Sequence, residues 1–394
     1  MQYSNLGIIT TALLILSSCG VKNDSLQISV ENKLDVKRSF ETIAIPLNQI
    51  PYDVNDSTKT IAVINTSTND TLVSQLVDED GDSSLDMVLF QPEIAANSTN
   101  TYTLTPVAKK TVTDSVDPLA YSRFVPERTD DYAWENDKVA FRTYGPVAQQ
   151  MVEDSVPGGT LTSGIDAWLK RVDYPIINKW YKKTMSGAGT YHEDTGEGLD
   201  NFHVGASRGI GGIAVKKDTT FYYSKNFTNW KTLSNGPLRT SFILEYADWD
   251  AGGSPITEHK KITLDRGSYF SKFEINITGA DSVSAGLTLH NNTGNTVVNE
   301  DMGYISYWET LDDSEIGSAI LVPNNLLSTQ KYISTKTDES NLYAIIKPED
   351  NTVTYYAGFG WKKRGEFTTE EEWKAFLERT AKKLKSPLKV NYLN

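Results

Sequence analysis

Residues 190–212, TYHEDTGEGLDNFHVGASRGIGG, combine many titratable side chains with several glycines. Two of the four histidines in the chain, His192 and His203, lie in this stretch. A neutral imidazole accepts a proton near neutral pH and a protonated imidazole donates one, so the pair suits acid/base catalysis. Arg208 follows shortly after His203 and offers a cation for a substrate carboxylate. We predict catalytic roles for these three residues and a substrate-binding role for Tyr191, which adjoins His192.

Other interpretations of this stretch compete with catalysis. The acidic residues and histidines provide possible metal ligands, but their spacing matches no standard zinc pattern, and a histidine that only orders the loop by hydrogen bonds is equally compatible with the sequence. GASRGIGG lacks the spacing of a nucleotide-binding loop. DEDGDSSLD, residues 78–86, does not meet the spacing of a calcium-binding EF-hand loop and is interpreted as an acidic turn. We therefore predict no metal and no cofactor.

Two further stretches contain candidate substrate-binding residues. Residues 123–145 are dense in opposite charges around Trp134 and Tyr144. They form either a buried ion-pair network or a sugar-binding floor on which Trp134 stacks. Residues 168–183 contain a basic island that includes Lys170 and Arg171, which is either a solvated helix face or a positive patch for an anionic substrate.

The elements that must position these side chains are mainly β-strands. Short alternating runs divided by Asn, Asp, Ser and Pro extend over residues 26–110 and resume after Gly212, which predicts a mainly β protein built as an antiparallel sandwich or supersandwich. Helices are expected in the middle and at the end of the chain. The spacing of apolar residues predicts helices over 165–172 and from 176 to 183, and Thr369 with Glu372 predicts the capping box of a C-terminal helix that Pro387 ends.

The beginning of the chain has the pattern of a bacterial lipoprotein signal. A short apolar run, residues 6–16, leads into the single cysteine, Cys19, and cleavage before it would leave a lipid anchor. We expect a signal peptide over 1–18, a tether over 19–25, a β-rich region over 26–110 and a catalytic domain over 111–394. The protein would then be attached to the cell envelope, on its periplasmic or its surface face. A net charge of −13 argues against nucleic acid as a partner, and the sequence leaves the oligomeric state open.

Several motifs together resemble one bacterial family. FVPERTDDYAWENDKVAFRTYGP, SGIDAWLKRVDYPIINKWY, YHEDTGEGLD and YAGFGWKKRGEFTTEEEW are similar to lipoproteins and secreted proteins of polysaccharide-utilisation clusters, a family long without an assigned function. Its nearest characterised resemblance is the ulvan oligosaccharide dehydratase of marine flavobacteria. The resemblance implies a β-supersandwich fold and the removal of water from a terminal uronate of an anionic oligosaccharide.

This implied chemistry assigns roles to the candidate residues. A dehydratase takes the C5 proton of a uronate and expels the C4 hydroxyl as water. Arg208 or Arg171 would neutralise the carboxylate, one histidine would act as the base, and the other histidine or Tyr181 as the acid. A polysaccharide lyase that cuts internal bonds and a non-catalytic glycan-binding lipoprotein are the rival functions. His290, at the end of a predicted strand, is a reserve site residue.

Overall fold

The computed structural model describes residues 25–51, 53, 56–109, 118–336 and 338–393. Cys19 and the predicted signal peptide lie outside these residues. Antiparallel strands dominate the described chain, which confirms the predicted mainly β class. None of the described helices is both long and apolar enough to cross a membrane.

The described residues up to 109 form two small sheets that pack face to face. Their strands are β1 (Leu26–Asn32), β2 (Ile43–Pro46), β3 (Lys59–Asn65), β4 (Thr71–Leu72), β5 (Ser74–Val77), β6 (Met87–Phe90) and β7 (Ser98–Ala108). One sheet contains β1, β7, β3 and β4 in that order, and the other has the order β2-β6-β5. Alternate residues such as Val30, Val63 and Phe90 are fully buried between the sheets. The alternation visible in the sequence is thus the alternation of core and solvent faces.

The middle of the chain forms a third sheet with two helices. Its elements are β8 (Tyr121–Val125), β9 (Asp131–Glu135), β10 (Ala140–Tyr144), α1 (Pro146–Glu153), β11 (Asp166–Lys170), α2 (Ile177–Met185) and β12 (Gly198–Leu199), with the strand order β12-β11-β10-β9-β8. Every residue of β9, β10 and β11 is buried. This sheet therefore lies between two packed layers.

The predicted helix over residues 165–172 is wrong, because this segment contains β11. Ile165, Ala167 and Leu169 face the main core, whereas Trp168 faces a second cluster that includes Tyr181 of α2. A strand buried on both faces has apolar residues on both, and their spacing then imitates a helical period.

The helix predicted from residue 176 is confirmed as α2, and a carboxylate from the sheet caps it. Ile176, the residue at the N-cap position, has no side chain that can accept a hydrogen bond. Glu135 at the end of β9 fills that need, because its carboxylate accepts from the amides of Ile176 and Ile177, each at 2.9 Å. A negative charge at a helix N-terminus is favourable, so the β9–α2 contact fixes the helix against the sheet.

The rest of the chain forms the main sandwich. Its strands are β13 (Ile210–Lys217), β14 (Thr220–Tyr222), β15 (Asn229–Ser234), β16 (Arg239–Glu245), β17 (Trp249–Asp250), β18 (Pro255–Asp265), β19 (Phe270–Thr278), β20 (Val283–Thr288), β21 (Asn295–Asn299), β22 (Tyr304–Leu311), β23 (Ser314–Leu321), β24 (Leu326–Tyr332), β25 (Asn341–Ile346) and β26 (Thr352–Trp361). A nine-stranded sheet has the order β15-β16-β18-β19-β26-β23-β22-β21, with β17 paired to β18, and the five-stranded sheet has the order β14-β13-β20-β25-β24. Phe273, Ile275 and Ile277 of β19 share one buried face, as their alternation predicts.

The chain ends in α3 (Glu370–Lys385) and β27 (Lys389–Leu393). The predicted cap of α3 is confirmed, since the Thr369 hydroxyl accepts from the Glu372 amide at 3.2 Å. The Glu372 carboxylate, however, accepts from the Thr368 amide at 2.7 Å rather than from Thr369. After α3, β27 pairs with β1, so the first sheet contains residues from both ends of the chain. Two 3-10 turns complete the described elements, Leu47–Gln49 and Lys362–Arg364.

Candidate active site

A cavity of about 440 Å³ lies where β9, β10 and the start of α1 meet the loop of residues 192–205. Its walls contain two arginines, two histidines, two aspartates and a tyrosine. These residues are Arg128, Asp131, Arg142, Tyr144, His192, Asp200 and His203. The cavity therefore joins two of the charged stretches that the sequence singled out, although residues 146–189 separate them in the chain.

Arg142 is the charged centre of the cavity floor. Its Nε donates to Asp166 Oδ2 at 2.6 Å, its Nη2 donates to Asp200 Oδ2 at 2.8 Å, and its Nη1 lies 3.6 Å from Asp131 Oδ2. The hydroxyl of Tyr144 also donates to Asp166, at 3.1 Å. The structure thus confirms a buried ion-pair network in residues 123–145, one of the two interpretations of that stretch.

Three carboxyl groups share this single guanidinium. Burial raises the pKa of Asp131 to about 6, although the charge of Arg142 opposes the shift. Burial, followed by the repulsion from Asp200, also raises the pKa of Asp166, and burial raises the pKa of Asp200. Asp166 Oδ1 is buried without a hydrogen-bond partner among the described residues. Burial outweighs the charges of Arg142 and Arg128 on these carboxyl groups, so the cluster favours a bound proton.

Arg128 differs from Arg142, because within the described part of the chain it forms no salt bridge to a carboxylate. Its Nε donates to the Tyr191 hydroxyl at 3.0 Å, and its Nη1 donates to Thr129 Oγ1 at 2.7 Å. The same Tyr191 hydroxyl accepts from Arg142 Nη1 at 3.3 Å. Tyr191 itself is buried. Tyr191 thus links Arg128 to the buried network. The guanidinium of Arg128 is held at the cavity wall and can still bind an anion.

The ring of His192 is held in one tautomer. Its Nδ1 lies 2.7 Å from the backbone oxygen of Asp200. A carbonyl oxygen can only accept, so Nδ1 carries the proton, and in the neutral ring Nε2 is left with its lone pair. The side chain is about half exposed, at 55%, and lines the cavity. His192 therefore has the tautomer and the access of a general base.

His203 lies on the rim of the same cavity. Its Nε2 is 2.9 Å from Asp338 Oδ2, and its side chain is 69% exposed. An ionised carboxylate only accepts, so Nε2 carries a proton and Nδ1 is the free ring position. Gly205 makes this contact possible, because a Cβ there would lie 2.4 Å from Asp338 Cβ and the residue has a φ of +51°. The glycine lets the loop before β25 approach His203 closely.

Two residues predicted to be catalytic lie elsewhere. Arg208 is fully buried, does not line the cavity, and its guanidinium stacks 3.9 Å from the centre of the Tyr223 ring. Tyr181 is also fully buried, and its hydroxyl donates to Asp131 Oδ2 at 2.9 Å. Burial raises the pKa of Tyr181 well above its ordinary value. Tyr181 therefore supports a cavity residue, and Arg208 does not reach the cavity.

The predicted substrate-binding residues are also separated by the fold. Trp134 is fully buried and donates to Ser271 Oγ at 2.9 Å, so it exposes no face on which a sugar ring stacks. Lys170 is fully buried and pairs with Glu135 at 2.7 Å, which removes it from the basic island. Arg171 is partly exposed and pairs with Asp194 at 3.0 Å, outside the cavity. Tyr144 lines the cavity.

Asp194 and Glu197, which lie between the two histidines in the sequence, form contacts with other groups. Asp194 accepts from the Gly196 and Gly198 amides, and Glu197 accepts from the Trp180 indole at 3.3 Å and pairs with Lys179 at 2.5 Å. Among the described residues, the group of acidic or histidine side chains close enough to share an ion is that of Asp78, Asp80 and Asp86, in the acidic turn. Backbone amides of the turn already bind Asp78 and Asp86.

The sequence patterns did not identify Arg128 as the cation at the cavity, and they did not identify Asp131 and Asp200 as residues of the cavity floor. Arg128 follows the end of β8 in the turn PERTDD, and Asp131 opens β9. A charged residue in a loop at the end of a strand indicates a possible functional site. Arg128 fits this pattern, but Arg208, which lies just before β13, fits it equally well. The choice between the two arginines depends on the packing of distant strands.

Comparison with known proteins places the chain in a family. A family model described as "Domain of unknown function (DUF4861)" matches residues 30–390. The chain belongs to this DUF4861 family. Over 384 residues it is 51% identical to "Uncharacterized protein P7" of the flavobacterium Formosa agariphila, and the match covers 96% of this chain and 97% of that protein. The predicted membership of a bacterial family without an assigned function is thereby confirmed.

Solved structures that resemble this DUF4861 protein are larger. An alpha-mannosidase from Enterococcus faecalis has a TM-score of 0.44 and 10% identity, and covers 94% of this chain. A glycosyl hydrolase family 38 protein from the same organism has a TM-score of 0.44 and 11% identity, and covers 95%. The chain spans 46% and 48% of these two proteins, about half of their length.

Proposed function

We propose that the protein is an oligosaccharide dehydratase that eliminates water across C4 and C5 of a uronate at the non-reducing end of ulvan-type oligosaccharides. The product is a 4,5-unsaturated uronate. The resemblance of the motifs to the ulvan dehydratase suggests the reaction. The observation that carries the proposal is that one cavity contains His192, with its Nε2 free, and Arg128, with no carboxylate partner among the described residues.

The reaction needs three groups, and the cavity offers each. Arg128 binds the uronate carboxylate and reduces its negative charge, which makes the C5 proton more acidic. His192 Nε2 takes that proton, and the electron pair forms the C4–C5 double bond as the C4–O bond breaks. The departing hydroxyl takes the Nδ1 proton of His203 in its imidazolium form and leaves as water. The two histidines then return to their starting forms by proton exchange with solvent.

The buried network has a positioning role in this proposal. Arg142 and Arg128 both donate to the Tyr191 hydroxyl, and Tyr191 precedes the base in sequence. The backbone of Asp200 fixes the tautomer of His192, while the carboxylate of Asp200 pairs with Arg142. The arginine that binds substrate and the histidine that takes the proton are therefore held by one network.

Substitution of the two histidines tests the assignment. We expect His192→Ala and His203→Ala each to lower kcat by at least about 100-fold, the usual contribution of one acid or base. His259→Ala is the matched control, because this histidine is exposed on β18 and does not line the cavity. Arg128→Met should lower kcat/KM by a comparable factor of about 100. Saturated-uronate oligosaccharides are the substrates, and product mass and ultraviolet absorbance are the measurements.

The products separate the rival functions. A dehydratase yields a product one water lighter than the substrate, with the absorbance of an enol ether and an unchanged chain length. A polysaccharide lyase shortens the chain, and a glycan-binding protein leaves the substrate as it was. Near-normal kcat in both histidine variants would show that the catalytic centre lies outside this cavity.

We also propose that Cys19 carries a lipid that attaches the protein to the bacterial cell envelope. The support is the apolar run of residues 6–16 followed by small residues and the single cysteine of the chain.

A further inference from the structure

Two cavities outside the candidate active site meet at Phe40, in the loop between β1 and β2. The larger one, of about 360 Å³, lies where this loop meets β18, β19 and α3. The smaller one, of about 290 Å³, is bordered by β4 and by the residues that follow β6. Phe40 lines both cavities and is 50% exposed. Its aromatic ring is therefore accessible to a ligand in either cavity.

The backbone of Phe40 lies in a region that bulky side chains rarely adopt. Its φ is +57°, which is left-handed. The other described non-glycine residues with a positive φ all have polar side chains, since they are Asn, Asp, Ser, Thr or His. Local hydrogen bonds make such a backbone tolerable for short polar residues, but a phenylalanine gains none. Strained residues of this kind cluster at functional sites, including those that hold ligands, so Phe40 is a candidate for a function.

Contacts on both sides of Phe40 hold this backbone in place. Arg38, two residues before Phe40, is buried, and its Nε donates to Glu41 Oε1 at 2.8 Å. After Phe40, the Thr42 hydroxyl accepts from Gln91 Nε2 at 3.1 Å. The chain is thus fixed before and after the strained residue, which is the condition for such a conformation to persist in a folded protein.

The ring of Phe40 packs against a glycine. A Cβ on Gly267 would lie 2.6 Å from Cδ1 of this ring, and Gly267 has a φ of +78°, so a larger residue would displace the ring. An isolated exposed apolar side chain is common on protein surfaces. Phe40 differs, because a strained backbone and a neighbouring glycine together place its half-exposed ring at the edge of two cavities. The ring offers a flat apolar surface to a ligand.

Charged pairs in the wall of the larger cavity provide polar contacts. Arg239 donates to Asp265 from Nε at 2.6 Å and from Nη2 at 2.9 Å. Lys383 Nζ lies 3.5 Å from Glu41 Oε1. These four side chains remain 15–26% exposed. Each pair places donors beside acceptors, which neighbouring hydroxyl groups of a sugar can match. A protein partner is disfavoured, because the cores of protein interfaces are depleted in charged residues.

We propose that Phe40 and the larger cavity form an accessory binding site for a sugar ring of a polysaccharide. The C–H face of the sugar lies on the ring of Phe40, and its hydroxyl groups bond to the charged pairs of the cavity wall. Among the described residues, the site shares no lining residue with the cavity of His192 and His203. It therefore binds the polymer without a terminal uronate. The choice of ulvan as the polymer rests on the proposed function, whereas the site itself does not.

A set of variants separates a binding role of the ring from a structural one. Phe40→Gly and Phe40→Asn remove the ring, and both residues tolerate a φ of +57°. Phe40→Tyr keeps an aromatic ring at the same position. Tyr392→Ala is the matched control, because Tyr392 is 47% exposed and lines neither cavity. His192→Ala changes the proposed active site and leaves the larger cavity at Phe40 intact.

Native gel electrophoresis in gels that contain ulvan, or separately a neutral β-glucan, measures binding, because a bound polymer slows the protein. We expect ulvan to slow the wild type, and Phe40→Tyr, Tyr392→Ala and His192→Ala to be slowed equally. Phe40→Gly and Phe40→Asn should have dissociation constants at least about fivefold higher, since one aromatic contact is lost. Their unfolding temperatures should stay close to that of the wild type, because the loss of the ring also relieves the backbone strain.

The outcomes distinguish a failure of this site from a failure of the proposed function. Slowing by ulvan that depends on Phe40, in a protein that eliminates no water, supports the site and rejects the dehydratase reaction. Slowing by the β-glucan alone, again dependent on Phe40, supports the site and rejects ulvan as its polymer. The site is overturned if neither polymer slows the wild type, or if Phe40→Gly and Phe40→Asn are slowed as much as the wild type.

Discussion

Lys170 and Glu135 form a fully buried ion pair whose loss should destabilise the middle sheet. Lys170 Nζ donates to Glu135 Oε2 at 2.7 Å and to the backbone oxygens of Asn136 and Tyr174 at 2.8 and 2.9 Å. Both charged side chains are 0% exposed. Lys170→Met leaves the carboxylate in the interior with the amides that begin α2 as its remaining partners.

We expect Lys170→Met to lower the free energy of unfolding by about 3–5 kcal/mol, the range for an uncompensated buried charge. Lys179→Met is the control, because Lys179 also pairs with a glutamate, Glu197, but its side chain is 61% exposed. Such an exposed pair contributes about 0–1 kcal/mol. The double variant Lys170→Met with Glu135→Gln removes the stranded charge and should recover at least about 2 kcal/mol of the loss.

Urea-induced unfolding followed by tryptophan fluorescence measures these differences. The reasoning is refuted if Lys170→Met is no less stable than Lys179→Met, or if the double variant is as unstable as the single one. The same proteins test the basic island predicted from the sequence. Because Lys170 is buried, its replacement should leave the KM of the folded enzyme for an anionic oligosaccharide unchanged. A raised KM would show that Lys170 contributes to substrate binding.

Two further predictions concern the cavity floor and the beginning of the chain. The folded-state pKa of Asp131, about 6, lies above the ordinary value of 3.8, so its stabilising effect is complete below the unfolded pKa and is lost as the pH rises through 6. Relative to wild type, Asp131→Asn should therefore gain roughly 3 kcal/mol of unfolding free energy between about pH 3 and about pH 8, and a constant difference would contradict the shift. Cys19→Ala should move the protein from the membrane fraction to the soluble fraction of the cell, and retention in the membrane would exclude the lipid anchor.

Local patterns in the sequence determined the elements whose cause is local. Alternation of apolar and polar residues predicted the strands of the sandwich, since one face of each such strand meets the core. The capping pair of Thr369 and Glu372 predicted the start of α3, because a cap involves neighbours in sequence. The loop of His192 and His203 was identified by composition alone, and both histidines lie at one cavity.

Only the tertiary structure decided which charged residues meet at that cavity and which are buried away from it. Arg128 reaches Tyr191 across 63 positions of the chain, and Arg142 reaches Asp200 across 58. Residues 165–172 have a helical spacing of apolar residues, yet they form a strand because layers from distant parts of the chain cover both of its faces. Burial of Trp134 and Lys170 has the same origin. Side-chain type and spacing encode local structure, whereas the accessibility and partners of a charge depend on contacts that form only when the sheets pack.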